Sequence, residues 1–167
     1  MSALHGIRAG AVVAFVWAVS SAQAPSETVR WTATVLPTTS AQTSLDVRAT
    51  VALSAEVQDG WHVYALTQPP GGPTPLRLTL DDNAFARVVG APSGTTPEKK
   101  YDPSFDLQTQ YYVHSFTLYL PVRVNRSSAA GGRRIPVSVR FQTCNGRECE
   151  PPRTVHLSVP IEAGAGT

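Results

Sequence analysis

Strict alternation of apolar and polar residues is the strongest pattern in the chain. From Leu45 to Val57 apolar residues occupy every second position, which predicts a long strand with one buried face. Asp59-Gly60 then signals a turn, and residues 61–66 (WHVYAL) are predicted to return as the hairpin partner of that strand. No segment shows a convincing period of 3.6 residues, so the pattern argues against helices.

Shorter segments with the same alternation, separated by turn residues, follow along the chain. Together with the first two they give about eight predicted strands. The additional segments are 30–35, 76–80, 85–89, 113–124, 135–142 and 154–161. This organisation predicts an all-β fold, an antiparallel two-sheet sandwich of the immunoglobulin-like type.

Two connections are longer than a hairpin requires. Residues 67–75 (TQPPGGPTP) contain four prolines and two glycines, which predicts a rigid irregular turn in which cis prolyl bonds are allowed. Residues 90–112 show no clear periodicity, and stretches of that length inside a compact domain are usually functional or disordered. Aromatic residues in this stretch argue against disorder, although each could simply anchor the loop: Tyr101, Phe105, Tyr111 and Tyr112.

The first 24 residues have the features of a cleaved signal peptide. Arg8 precedes an apolar run at 9–19, and Ala22-Gln23-Ala24 fits the small-x-small cleavage pattern. The run is shorter than the roughly 20 residues that span a bilayer, which argues against a membrane anchor. We therefore expect residues 25–167 to be exported as a single domain, into an oxidising compartment where a cysteine pair can be oxidised.

Charge and motifs exclude several function classes. The chain has 14 Lys and Arg residues against 12 Asp and Glu residues, scattered rather than clustered. This distribution gives no basic stripe for nucleic acid. The sequence also contains no nucleophile elbow, phosphate-binding glycine loop or HExxH motif, which argues against a hydrolase or another enzyme of those types.

The only two cysteines, Cys144 and Cys149, enclose Asn-Gly-Arg-Glu. Asn-Gly favours a hairpin turn because both residues tolerate positive φ, and paired cross-strand Cα atoms about 4.5–5.5 Å apart suit a disulfide. A loop this short gains only about 2 kcal/mol from a structural disulfide, against about 4.7 kcal/mol for one of ~100 residues. The comparison favours redox use but leaves a structural disulfide open.

A zinc site is a further alternative for the two cysteines. The remaining ligands would have to come from His62, His114 and His156, and no two of these form a spaced pair. We therefore expect no metal.

Residues around the cysteines affect their chemistry. Arg147 favours a nearby thiolate, whereas Glu148 and Glu150 flank Cys149 and disfavour one, so local charge predicts that Cys144 is the more acidic thiol. Two prolines, at 151 and 152, lack N–H groups and should leave the adjacent strand edge open to a partner.

Two segments resemble signature segments of a known family. Residues 59–75 (DGWHVYALTQPPGGPTP) and 141–152 (FQTCNGRECEPP) resemble the N-terminal periplasmic domain of the thiol–disulfide interchange protein DsbD, and the resemblance extends over most of residues 25–162. It implies an immunoglobulin-like periplasmic domain in which Cys144 and Cys149 form a reversible disulfide, without a cofactor. It also implies electron flow from a thioredoxin-like domain to periplasmic thioredoxin-fold partners, such as disulfide isomerases or the cytochrome c maturation thioredoxin.

The resemblance also suggests roles for individual residues. Phe105, in YDPSFDL (101–107), matches the cap residue that covers the disulfide until a partner arrives, and Tyr64 maps near the cysteines. The family pattern makes Cys149 the partner-bridging sulfur, in contrast to the local-charge argument. Since the chain ends after the sandwich, we expect the electron donor on a separate polypeptide. We further expect a monomer, with no membrane insertion after signal cleavage.

Two hypotheses for function follow. The first is a periplasmic component of a protein-disulfide reductase system, in which both cysteines are required for turnover. The second is an exported immunoglobulin-like binding or assembly module, whose disulfide is purely structural.

Overall fold

The computed structural model describes residues 27–36, 46–125 and 134–161, and these form strands joined by turns. The predicted signal peptide and its cleavage site lie outside the described residues. All strand pairs within the three ranges are antiparallel, and the ranges contain no helix, so none long and apolar enough to cross a membrane. The prediction of an all-β antiparallel fold is therefore confirmed.

Twelve strands are present in these ranges. In chain order they are β1 Val29–Leu36, β2 Asp46–Val57, β3 His62–Tyr64, β4 Arg77–Leu80, β5 Ala86–Val88, β6 Ser93–Gly94, β7 Glu98–Asp102, β8 Leu107–Tyr112, β9 Ser115–Asn125, β10 Arg134–Phe141, β11 Thr143–Cys144 and β12 Arg153–Pro160. They form a first sheet of order β1-β2-β9-β5, with β6 also on β9, a second of order β12-β10-β4, and a third of order β11-β3-β8-β7.

The first two sheets enclose one hydrophobic core. Alternate residues of β2 and β9, among them Leu53 and Leu118, are fully buried with Val137 and Val139 of β10. The period of two predicted for residues 45–57 is confirmed in the second half of β2, where Val51, Leu53, Ala55 and Val57 are buried, although Ala52 is buried as well; residues 46–50 are partly buried or exposed. Trp31 of β1 is buried in this core, in contact with the rings of Phe116 and Phe141.

The predicted pairing of residues 61–66 with β2 is wrong. Both edges of β2 are already hydrogen bonded, one to β1 and the other to β9, so β2 has no free edge to offer. The chain turns at Gly60, which has a φ of 83°. It then places β3 in the third sheet, between β11 and β8.

The stretch from 90 to 112, which the sequence left without periodicity, contains β6, β7 and β8. β7 and β8 form a hairpin whose register runs from Glu98↔Tyr111 to Asp102↔Leu107, with residues 103–106 as its loop. The hairpin escaped prediction because four consecutive residues of β7 are exposed, so its side chains do not alternate in polarity.

The proline-rich loop at 67–75 is held at both ends. The Gln68 side-chain amide donates to the carbonyl oxygen of Gln110 at 2.5 Å, and the Thr74 N–H donates to the Gln142 side chain at 2.8 Å. All peptide bonds in the described ranges are trans, so the cis isomers that the sequence allowed do not occur there. The loop therefore lies against β8 and against Gln142, which joins β10 to β11.

Candidate redox-active disulfide site

Cys144 and Cys149 form a disulfide, with their Cα atoms 4.1 Å apart. The two residues face each other as an antiparallel bridge. The Asn145 N–H donates to the Glu148 carbonyl oxygen at 3.1 Å, and the Glu150 N–H donates to the Thr143 carbonyl oxygen at 2.9 Å. Backbone hydrogen bonds thus close the hairpin on both sides of the disulfide.

The turn that Asn-Gly predicted lies between the cysteines, and only one of its residues has a positive φ. Gly146 has a φ of 82°, whereas Asn145 does not use the positive φ that it could tolerate. The Asn145 side-chain oxygen instead accepts the N–H groups of Arg147 and Glu148, each at 3.0 Å. Asparagine thus stabilises this turn through its side chain, and glycine through its backbone.

The two sulfur-bearing residues differ in exposure. Cys144 belongs to β11, opposite His62 of β3, and is only 1% exposed. Cys149 lies outside the strands, shortly before Pro151, and is half-buried. Since disulfide exchange requires access to the attacked sulfur, Cys149 offers the more accessible approach.

Tyr64 lies beside the disulfide, and Asp102 binds its hydroxyl. The Tyr64 side chain is fully buried, and its hydroxyl donates to Oδ2 of Asp102 at 2.6 Å. The same hydroxyl oxygen is 4.0 Å from Sγ of Cys149. Burial, together with the hydrogen bond and charge of Asp102, raises the pKa of Tyr64 far above its ordinary value. The phenol therefore stays protonated, and because its proton is directed at Asp102, the 4.0 Å approach to the disulfide sulfur of Cys149 is a contact and not a hydrogen bond.

Phe105 lies in the β7–β8 hairpin loop, and its ring packs edge-on against Tyr64. The ring centroids are 5.8 Å apart, and Phe105 is half-buried. Asp102 anchors this loop, because its Oδ1 accepts the Ser104 N–H at 2.9 Å and its carbonyl oxygen accepts the Phe105 N–H at 3.3 Å. The structure thus brings together all four residues predicted for the site: Cys144 and Cys149 form the disulfide, Tyr64 lies beside Cys149, and Phe105 packs on Tyr64.

The other aromatic residues of the 90–112 stretch have different surroundings. Tyr112 is buried and stacks on Phe116 with ring centroids 4.2 Å apart, so it anchors the hairpin on the core. Tyr101 is half exposed and donates a hydrogen bond to Asp106. Tyr111 packs against His62, with ring centroids 4.8 Å apart.

His62 is a partly buried titratable group of this site. Its ring lies between Tyr64 and Tyr111, at 5.0 and 4.8 Å, and its Nε2 atom is buried without a hydrogen-bond partner. Burial lowers the pKa of His62, the charge of Asp102 opposes that shift, and Lys100 adds to it. The imidazole is therefore neutral at pH 7.

Sequence reasoning missed Asp102 and gave His62 only as a metal ligand to be rejected. Asp-Pro-Ser at 102–104 is a recognisable turn signal, but nothing in it indicates a contact with Tyr64, 38 residues away.

Across 27–36, 46–125 and 134–161, no group of three or more His, Cys, Asp or Glu side chains could hold a metal ion.

The fold and the site define a class of protein, an antiparallel β-sandwich with a short-loop disulfide between one buried and one half-buried cysteine. The family model described as thiol:disulfide interchange protein DsbD, N-terminal, matches residues 32–160. The chain therefore belongs to the family of DsbD N-terminal domains. Membership implies thiol–disulfide exchange, and the immunoglobulin-like sandwich expected from the resemblance is confirmed.

Two solved structures are similar to this chain. The Neisseria meningitidis DsbD N-terminal domain in the reduced form has 20% sequence identity and a TM-score of 0.47, and the match covers 66% of this chain and 76% of that one. The N-terminal periplasmic domain of ScsB from Proteus mirabilis has 15% identity and a TM-score of 0.46, over 80% of this chain and 48% of that one. No curated protein matches the chain.

The first prediction concerns Asp102, which holds the Phe105 loop and the Tyr64 hydroxyl at once. Asp102→Asn removes the carboxylate charge, and hydrogen bonds to charged groups contribute about 1.5–3 kcal/mol each. We expect the loop to open more often, so that dithiothreitol reduces the disulfide roughly tenfold faster. Asp106→Asn, in the same loop, is the control: it weakens only the exposed hydrogen bond from Tyr101, not the buried one to Tyr64, and should react at about the wild-type rate. An unchanged or slower rate for Asp102→Asn contradicts this assignment.

The second prediction concerns pH. In the unfolded chain an imidazole takes up a proton near pH 6.5, whereas the folded pKa of His62 lies lower. The unfolded state therefore binds more protons as the pH falls through this range, and the native state loses stability. His62→Gln should flatten the fall in melting temperature between pH 7.5 and 5.

The matched control for the pH prediction is the exposed His114, replaced by Asn because its φ of 55° suits that residue. His114→Asn should keep the wild-type pH slope. If His62→Gln keeps it as well, the titration of His62 does not contribute to acid sensitivity.

Proposed function

We propose that Cys144 and Cys149 are a redox-active pair that carries electrons from a thioredoxin-like donor domain to exported thioredoxin-fold proteins. In this proposal the domain works in the periplasm after removal of residues 1–24, as a component of a protein-disulfide reductase system, without a cofactor or metal. Disulfide isomerases and the cytochrome c maturation thioredoxin are the acceptor classes. The observation that carries the proposal is the unequal exposure of the two cysteines, in a chain of the DsbD N-terminal family.

The chemistry consists of two disulfide exchanges of two electrons each: a donor reduces the domain, and the domain then reduces an acceptor. A donor thiolate attacks Sγ of Cys149, the bond to Cys144 breaks, and Cys144 leaves as a thiolate that takes up a proton. The second donor thiolate then attacks the donor sulfur of the mixed disulfide, so the donor is oxidised and the domain is left as a dithiol. With an oxidised acceptor, Cys149 attacks the acceptor disulfide, and Cys144 attacks Cys149 to release the reduced acceptor.

Tyr64 and Phe105 are the supporting residues of this proposal. The Tyr64 hydroxyl keeps its proton and directs it at Asp102, so after reduction its oxygen can accept a weak hydrogen bond from the Cys149 thiol. Phe105 packs on Tyr64 and acts as the cap that limits access to the sulfur. A partner must displace this ring before the sulfur atoms can meet.

The alternative, a binding module with a purely structural disulfide, is less well supported. The hairpin is closed by backbone hydrogen bonds on either side of the cysteines, so a covalent link there adds little restraint. The loop it closes has a sequence separation of only 5, for which the stabilisation is about 2 kcal/mol.

The third prediction tests this function by trapping. In Cys144→Ala the half-buried Cys149 can still attack the disulfide of a partner, but no second cysteine remains to release the mixed disulfide. Oxidised thioredoxin-fold proteins from the periplasm should therefore accumulate as mixed disulfides. Cys149→Ala leaves only a sulfur that is 1% exposed, and we expect it to trap at most about a tenth as much. The double variant is the blank. Absence of any mixed disulfide with Cys144→Ala contradicts the function, and preferential trapping by Cys149→Ala contradicts the assignment of the two sulfurs.

A further inference from the structure

The side chain of Glu150, the residue directly after Cys149, is held by one residue distant in sequence and one nearby. Oε2 of Glu150 accepts the hydroxyl of Thr28 at 2.9 Å and that of Thr143 at 2.8 Å. Both threonines are buried, with exposed fractions of 6% and 1%. The Glu150 backbone N–H also pairs with Thr143, so both its main chain and its side chain are restrained.

Arg153 completes this arrangement from β12. Its Nη2 donates to the Thr28 hydroxyl oxygen at 2.8 Å and lies 3.9 Å from Oε2 of Glu150. Its guanidinium lies over the Phe141 ring, 5.0 Å from the centroid. We name Thr28, Thr143, Glu150 and Arg153 the Glu150 clamp. It connects the residue after Cys149 to the start of β1, to β11 and to β12.

The clamp changes the local-charge argument for the cysteines. That argument treats Glu150 as a free negative charge next to Cys149, whereas its carboxylate is shared among two hydroxyl donors and a nearby guanidinium. Charge repulsion is thus not the main effect of Glu150 on the disulfide. Its effect is positional, because it restrains the backbone immediately beside Cys149.

We propose that the Glu150 clamp keeps Cys149 beside Cys144 after the disulfide is reduced, and so helps to set the thiol–disulfide equilibrium. The inference rests on the proposed function and adds a positioning residue to it. The clamp and the disulfide restrain the same short segment, 145–149, so each lowers the entropic cost of forming the other. Such coupling is reciprocal: the clamp favours the disulfide by the same factor as the disulfide favours the clamp.

The fourth prediction is that loss of the clamp shifts the equilibrium with glutathione toward the dithiol. Glu150→Gln keeps the size of the side chain but removes its charge, and the equilibrium constant for disulfide formation should fall about three- to tenfold. Glu148→Gln is the matched control, because Glu148 flanks Cys149 on the other side and its side chain contacts Asn145, at 3.4 Å, and not the clamp. Its constant should stay within about twofold of the wild type.

Stability measured in both redox states separates positioning from a purely structural role. Coupling predicts that Glu150→Gln lowers the unfolding free energy more in the oxidised form than in the reduced form. Equal losses in both forms, with an unchanged glutathione equilibrium, overturn the inference. Thr28→Val, which removes one donor far from the cysteines in sequence, should reproduce the shift, and it serves as the test if Glu150→Gln does not fold.

The wild-type protein distinguishes the two proposals. If its disulfide does not equilibrate with glutathione at all, the proposed function fails. If the wild type equilibrates and the Glu150 and Thr28 variants do so with the same constant, only the clamp inference fails.

Discussion

The arrangement of the site depends on the fact that both edges of β2 are occupied. With β1 on one side and β9 on the other, β2 cannot accept the strand that follows it in the chain. β3 therefore leaves the first sheet and becomes an inner strand of the third, with β11 and β8 as neighbours. Because β11 follows β10 after a single residue, Gln142, the core of the sandwich determines where Cys144 lies.

On this scaffold, two carboxylates restrain the surroundings of Cys149. Asp102 holds the Tyr64 hydroxyl and the loop that carries Phe105, whereas Glu150 holds the backbone just after the cysteine. Both use hydrogen bonds that involve a charged group, which are stronger than neutral ones. In our proposals the first limits access to the sulfur of Cys149, and the second keeps that cysteine close to Cys144.

The sequence predicted most of the sandwich and the centre of the site, but not the contacts that complete it. The alternation in β2 and β12 was readable because one face of each strand packs on the core. β7 was not readable, since it is exposed along most of its length. Cys144 and Cys149 are local in sequence and so could be paired, whereas Asp102–Tyr64 and Glu150–Thr28 join residues 38 and 122 positions apart. Local patterns carry no information on such pairs.

The central claim is that the Cys144–Cys149 disulfide is reversible under physiological conditions, and the reduction potential of residues 25–167 tests it most directly. The domain is equilibrated in graded glutathione buffers, and the dithiol fraction is measured after acid quenching and thiol alkylation. We predict a reversible two-electron transition at a potential above about −300 mV, within the span of thioredoxin-fold oxidoreductases. A potential far below about −300 mV would identify a locked structural disulfide and contradict the account.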